Sequence, residues 1–199
     1  MSLAEKVAAT LPLHTPRLRL RRLVPADFGA LHRIYQDAEV MRFMGGVRTR
    51  EQSRSYFAGN LAHWERHGFG VLAVEPREPL PGAAPAAPAP LMGRVALAHL
   101  EDTGDVELGY LFDAPYQGQG YALEAAARVV DWGFEVLGLP RIVAIALPDN
   151  LRSFHLMRRL GMQPDGTGHH HGYDVTRFAL PRAEWQARRA GALRAGERR

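Results

Sequence analysis

The residues best suited to chemistry lie between Glu107 and Ser153. Gln117-Gly118-Gln119-Gly120-Tyr121-Ala122 run into Leu123, Ala126, Val130 and Phe134, an apolar stripe at helical spacing. A glycine-rich loop that opens a helix presents backbone amides the helix cannot use. The helix dipole adds partial positive charge there, so the loop suits a phosphate. A dinucleotide-binding fingerprint would need a third glycine where Leu123 stands, and a P-loop would need Gly-Lys-Ser/Thr where Gly120-Tyr121-Ala122 stand, so both fail. Upstream, Glu107 lies in an alternating segment, residues 106–112, on the face opposite Val106 and Leu108. It is a strand carboxylate placed to accept a proton. Downstream, Asn150 and Ser153 are three apart and share one helical face, offering an amide, which could also cap the helix, and a hydroxyl.

Gln117, Gly120 and Ala122 meet the pattern Gln/Arg-x-x-Gly-x-Gly/Ala, and this segment resembles the acetyl-coenzyme A pyrophosphate loop of the GNAT N-acetyltransferases. Asn150-Leu151-Arg152-Ser153 followed by Leu160-Gly161-Met162 resembles the family's Asn-x-x-Ser…Leu-Gly-Phe segment. The opening Leu13-His14-Thr15-Pro16-Arg17-Leu18-Arg19-Leu20-Arg21, with Asp27 after it, is similar to the start of the RimJ/RimL-type branch, which acetylates protein N-termini and various small amines. The three motifs stand in order, and the resemblance covers about residues 13–185.

The resemblance implies acetyl-CoA as donor and a primary amine as acceptor, either a protein N-terminus or a small molecule. It implies that Gln117, Gly118, Gln119, Gly120, Tyr121 and Ala122 cradle the pyrophosphate, with glycine needed at 118 and 120 for close approach or positive φ. The strand over residues 106–112 is expected to splay from the one over 141–146, exposing backbone at Gly109, Tyr110 and Leu111 to the pantetheine arm. An amide there would face the thioester carbonyl, and Gly109 is consistent with a bulge. Asn150 would hold the pantetheine amide. Ser153, a weak acid, would hydrogen-bond the departing thiolate, whereas His155 points elsewhere. Glu107 is the first choice of base and His99 a weaker one. Residues 163–172 are expected as a polar loop beside the acceptor, across from Gly45-Gly46 with Glu39, Arg42 and Arg48. The alternative is a catalytically silent acyl-CoA-binding regulatory module, against which the retained Glu107, Asn150 and Ser153 argue.

The elements that must position these residues follow from periodicity and turn chemistry. Residues 1–12 are expected as a loose terminus. Strands are expected over 17–23, 69–75, 92–100, 106–112, 141–146 and 173–180, and helices from Pro25, from Thr49 to about His67, from the glycine loop, and over 150–160. Thr49 and Gln52 have the spacing of a capping box. Residues 76–90, rich in Pro and Ala, read as a hairpin excursion, and 186–199 as a basic, solvated tail. The class is α/β (α+β): a mixed, mostly antiparallel sheet of about six to seven strands with helices on both faces, which is also the order of the GNAT fold. Trp64 and Trp132 are expected in the core.

At 199 residues the chain fits one domain over residues 13–185, and 46% hydrophobic with 23% charged residues is the balance of a globular protein. No apolar run reaches membrane length and the first residues lack a signal-peptide core, so a cytoplasmic, membrane-free protein is expected. Zero cysteine excludes disulfides, thiolate metal sites and a cysteine nucleophile, so acyl transfer would pass directly from donor to acceptor or through some other nucleophile. The net charge of +4 raises nucleic acid as a partner, but no aromatics interleave with a basic face, and none is expected. His169-His170-His171 do not converge on one ion by spacing, and no metal is expected. A homodimer is compatible with the sequence.

Overall fold

The computed structural model describes residues 2–82, 88–100 and 103–196. The elements run α1 (Leu3–Thr10), β1 (Leu13–His14), β2 (Leu18–Arg22), α2 (Phe28–Tyr35), α3 (Ala38–Met41), α4 (Arg50–His67), β3 (Val71–Pro76), β4 (Gly93–His99), β5 (Val106–Phe112), α5 (Tyr121–Glu135), β6 (Arg141–Ala146), α6 (Leu151–Leu160), β7 (Gln163–His170), β8 (Tyr173–Pro181) and α7 (Arg182–Gly196), with single 3-10 turns before α2 and α5. The strands form one sheet in the order β1-β2-β3-β4-β5-β6-β8-β7. Every pairing is antiparallel except β5 with β6.

Alternation along the strands sorts side chains to two faces. Leu18, Leu20, Leu72, Val74, Val95, Leu97, Val106 and Leu108 pack against α5, whose Ala125, Ala126, Val129, Val130, Trp132 and Phe134 are all buried. Ala73, Ala96 and Leu111 face the other way, against Leu31, Ile34 and Tyr35 of α2 and Phe57 of α4. Helix α4 starts where expected: Thr49 and Gln52 form the capping box, and Gly68 in the left-handed region ends it. Trp64 and Trp132 are both in the core, ring centroids 6.4 Å apart. Gly93 allows β4 and β5 to approach, because a Cβ there would stand 2.3 Å from the Leu111 carbonyl oxygen.

Three segments depart from the sequence expectation. The terminus expected to be loose contains α1, closed by a capping box between Ser2 and Glu5 and anchored by buried Val7 and by Thr10, whose hydroxyl accepts from the Trp132 indole. Residues 163–170, expected as a loop, are the edge strand β7. It is held by backbone pairing to β8, which asks little of its Pro, Gly and His side chains, and it turns at His171 and Gly172, both at positive φ as a two-residue hairpin turn requires. The basic tail begins as α7: Trp185 stacks on Phe134 and donates to Asp131, and Arg182 donates to the Leu139 carbonyl. The expected Pro/Ala excursion falls partly on residues 83–87, and the end of the tail on 197–199, both outside the described residues.

A buried ionic cluster ties β2 to β3 and the start of α2. Arg21 donates to both carboxylate oxygens of Asp27 at 2.8 Å and to Glu75 at 2.5 and 2.8 Å, with Asp27 and Glu75 each 6% exposed. Among the described residues, removing Arg21 would leave buried Asp27 with the Val24 amide and no cation, and Glu75 with Arg19 as its one remaining ion-pair partner. Arg21→Met should therefore lower stability by about 3–5 kcal/mol, read as a fall in the urea midpoint.

A second cluster makes the fold sensitive to acid. His63 Nδ1 lies 2.8 Å from the Phe69 carbonyl and must donate, so Nε2 is left to accept the His99 amide at 3.2 Å. Both partners thus fix the neutral ring. Burial holds His63 below the ordinary histidine value, and burial with nearby His99 and Arg66 does the same for His67. The stabilisation is complete above the unfolded pKa of 6.5 and is lost as pH falls below it toward the folded value. The melting temperature should fall between pH 7.5 and 5.5, and His63→Gln should flatten that dependence.

Candidate active site

The glycine loop is shaped as its residue types require. Gly118 and Gly120 have φ of 74° and 83°, and Gly120 caps α5 without a side chain, so the first-turn amides of α5 have no side-chain partner. Gln117 is turned inward, donating to the Phe112 carbonyl at 2.9 Å, and Gln119 donates to the Pro115 carbonyl at 2.7 Å. The amide side chains therefore brace the loop, while residues 117–120 stay exposed.

The loop is also held from outside, by residues to which the sequence reading gave no role. Arg17 donates to Glu124 Oε2 at 2.6 Å and to the Gln119 carbonyl at 3.1 Å, and its guanidinium lies 4.3 Å from the centre of the Tyr121 ring. Glu124 also accepts from the Thr15 hydroxyl at 2.5 Å and the Arg17 amide at 3.0 Å. Burial pushes the Glu124 carboxyl upward, but the bonds from Thr15 and Arg17 outweigh this and hold it below the usual value. The Thr15-Pro16-Arg17 motif near the start of the chain is thus the clamp of a loop about a hundred residues away in sequence.

Strand β5 is laddered to β4 along its whole length but meets β6 at one pair, Glu107 against Val143. The two strands are pinned at their starts. Asp105, just before β5, accepts from Arg141 Nε and Nη2 at 2.7 Å and from Arg177 at 3.0 Å, and the Arg141 bonds first of all hold its carboxyl below the usual range. Pinned there and unladdered beyond, β5 leaves its flank at Gly109, Tyr110 and Leu111 without a register partner on β6. No bulge occurs at Gly109, whose register with Ala96 is unbroken. The space it leaves faces Arg94, whose Nη1 is 3.9 Å from where a Cβ would be.

Ser153 meets Tyr110 of this flank, hydroxyl to hydroxyl at 2.5 Å. Burial, more than the opposing Ser153 bond, pushes the Tyr110 phenol up to about 12, with Glu107 adding to the rise, so it stays protonated as a donor. Alternation alone placed Tyr110 on this face, but its partner lies 43 residues on and only the fold brings them together. Asn150 is the N-cap of α6, its Oδ1 accepting from the Ser153 amide at 3.2 Å, which leaves its NH2 group for other use.

Glu107 points to the opposite face, its side chain 22% exposed and 3.9 Å from His171 Nε2 at the turn between β7 and β8. Tyr173, after that turn, packs on Gly45, its hydroxyl 3.2 Å from a Cβ built there. The β7–β8 hairpin therefore touches both Glu107, through His171, and the residues 41–48 segment, through Tyr173. His99 does not belong here: it lies on the other face, in the His63 cluster, because successive strand residues alternate. His155 is exposed on α6. The three consecutive histidines diverge, His169 to Asp174 at 2.9 Å, His170 over Gly168 and His171 toward Glu107.

A family model described as an acetyltransferase (GNAT) domain matches residues 17–163. The chain belongs to the GNAT acetyltransferase family. This GNAT protein is 28% identical over 153 residues to the uncharacterized N-acetyltransferase YnaD of Bacillus subtilis strain 168, covering 76% of the present chain and 82% of that one. Its fold matches an acetyltransferase crystal structure from Agrobacterium tumefaciens strain C58 with a TM-score of 0.72 at 28% identity, covering 84% and 92% of the two chains. It also matches, in fold alone at 19% identity, the Vibrio cholerae spermidine N-acetyltransferase in complex with CoA and spermine, with a TM-score of 0.68 over 86% and 99% of the chains. Among the described residues of the GNAT chain no helix is long and apolar enough to cross a membrane.

Gly120→Glu would force a side chain onto a backbone at φ 83° and put a carboxylate where an anion should sit. It should abolish acetyl-CoA binding by calorimetry, and Arg17→Gln should weaken binding by about tenfold, the loss of one charge-assisted bond, without unfolding the protein.

Proposed function

We propose that residues 13–185 form a domain that moves the acetyl group of acetyl-CoA directly to a primary amine, in a ternary complex, in the cytoplasm where that donor is made. The observation that carries this reading is the placement of a carboxylate and a hydroxyl pair on opposite faces of β5, beside the same unladdered flank. Glu107 stands on the α2/α4 side and Tyr110 with Ser153 on the α5/α6 side. An amine entering from the first side and a thiol leaving to the second would meet at Gly109, Tyr110 and Leu111.

In that arrangement the amides and glycines of residues 117–122 hold the pyrophosphate, with Arg17 behind them. Backbone at Gly109, Tyr110 and Leu111 pairs with the pantetheine arm, and the Asn150 NH2 group binds one of its amides. Glu107 takes a proton from the ammonium, directly or through water, so that the nitrogen lone pair can attack the thioester carbon. A C–N bond forms, the C–S bond breaks, and an amide of β5 steadies the oxyanion, a term worth about 3 kcal/mol per donor. The thiolate then receives a hydrogen bond and proton from the Tyr110–Ser153 pair, which is refilled from the proton the nitrogen releases. Thr15-Pro16-Arg17 and the Arg21…Asp27 pair support placing the chain in the RimJ/RimL-type branch, and both are engaged in holding the loop and the first helix.

A thiol-release assay with acetyl-CoA against amines, amino acids, polyamines, aminoglycosides and short peptides tests the reading. Turnover with at least one acceptor is expected, and Glu107→Gln should lower kcat about a hundredfold or more, most strongly below the amine's pKa. Tight acetyl-CoA binding with no turnover on any acceptor would instead favour a silent acyl-CoA-binding module. An unaltered pH–rate profile in the variant would remove Glu107 as base.

A further inference from the structure

On the Glu107 face lies a group of cations that nothing in the transfer chemistry uses. Arg94 of β4 is 3% exposed, and among the described residues its Nε has no hydrogen-bond partner and no carboxylate lies within ion-pair distance of its guanidinium. Arg48, from the segment before α4, has a buried Nη1 that is equally unpartnered, and so is the hydroxyl of buried Tyr35. Both guanidinium groups are gathered on one ring: Arg48 is 4.0 Å and Arg94 5.4 Å from the centre of Tyr56, and Arg48 is 5.2 Å from that of Tyr35. Burial keeps the Tyr35 phenol protonated against the pull of Arg94 and Arg48, so it too is a donor.

The cluster is thus rich in donors and holds no carboxylate: the acceptors it offers are the phenol oxygens of Tyr35 and Tyr56, and Arg94 Nε and Arg48 Nη1 remain without a partner. Burying a guanidinium without a paired carboxylate is among the costlier arrangements a core can hold. Ring contacts offset part of that cost, but they leave the in-plane N–H groups unsatisfied. Glu107 supplies charge of opposite sign nearby without pairing to it. The cluster also adjoins the reaction centre, because Arg94 Nη1 reaches over Gly109. Arg48 and Tyr56 are only partly buried, which leaves a way in from solvent.

We propose that Tyr35, Arg48, Tyr56 and Arg94 bind a carboxylate carried by the acceptor, so that the amine acetylated at Glu107 belongs to a small amino acid or related amino carboxylate. This rests on the acetyl-transfer reading above and names the substrate class of that site. Glu107 and the arginine cluster together match a zwitterion, ammonium toward the one and carboxylate toward the other. A polyamine would bring a second cation to a pocket already holding two. A peptide N-terminus offers an amide at the position where the carboxylate is wanted.

The test compares matched acceptors in the thiol-release assay with the full chain: the common L-amino acids, β-alanine and γ-aminobutyrate, each against its amide or decarboxylated amine, together with spermidine and short peptides. Carboxylate-bearing acceptors should show kcat/KM higher by about tenfold or more, the worth of one charge-assisted bond. Arg48→Gln should erase that preference by raising KM while leaving kcat nearly unchanged. Arg94→Met should raise KM likewise and, by removing an unpaired buried charge, should leave the melting temperature equal or higher. A purely structural arginine would lower it. Should Arg94→Met fail to fold, that failure counts against the inference, and Arg48→Gln with Tyr35→Phe still decides the KM effect. Equal or better turnover of amides, amines, spermidine or peptides would overturn the carboxylate site while leaving acetyl transfer standing. Acetyl-CoA binding with no turnover of any acceptor would overturn it too, and absence of acetyl-CoA binding would remove the transfer reading itself.

Discussion

The single register pair between β5 and β6 is the constraint on which the rest of this structure depends. An eight-stranded sheet joined at its middle by one parallel pair would be weak if hydrogen bonds alone closed it. It is closed instead by charge at one end, where Asp105 binds Arg141 of β6 and Arg177 of β8, and by α5 packed beneath both halves. With the starts of the strands fixed, the twist natural to a sheet carries their ends apart. The backbone groups left on β5 need a partner, since unsatisfied amides in a protein interior are rare. A ligand with its own amides would answer that need, which is why the acetyl-transfer proposal seats its donor at this defect in the sheet.

The loop, the flank, Glu107 and the Tyr110–Ser153 pair are then ordered by how each is anchored. The glycines give the loop its path, but its position is set by Arg17 and Glu124, which reach it from the chain's beginning. Tyr110 is on β5 and Ser153 on α6, the helix that follows β6, so their hydroxyl contact ties α6 to β5. Glu107 sits at the level where β5 and β6 pair, opposite Val143.

Sequence reading reached those features whose cause is local. Strand alternation over 106–112, the positive-φ glycines at 118 and 120, the Thr49 capping box and the buried tryptophans each follow from a few neighbouring residues, and each is present. Where the cause is distant the reading was silent or wrong. Edge strand β7 has the composition of a loop because its neighbours are backbone on one side and water on the other. Helices α1 and α7 carry little periodicity of their own and exist through Val7, Thr10 and Trp185 meeting α5 or its neighbours. A bulge at Gly109 was reasonable from the residue type, but the glycine instead makes room for Arg94 from the adjacent strand. His99 is on the strand expected for it, but it shares the face of Val95 and Leu97, opposite Glu107, which the strand assignment alone does not weigh.

Arg94 shows how a structural cost and a chemical role can be told apart. Arg21 is also set among core strands, but it meets two carboxylates in good geometry, and its charge is accounted for by Asp27 and Glu75. Arg94 is more deeply buried, and the groups that act on its charge are the phenols of Tyr56 and Tyr35 and, after them, the Glu107 carboxylate. If the fold needed only volume there, a methionine would fill it without desolvating a charge. Persistence of the guanidinium beside Gly109 is therefore more economically explained by what enters the site than by what holds it together. Among the described residues the contrast is plain: Arg21 has its carboxylate partners and is structural, whereas Arg94 and Arg48 each keep a buried N–H without one, beside the strand that carries Glu107.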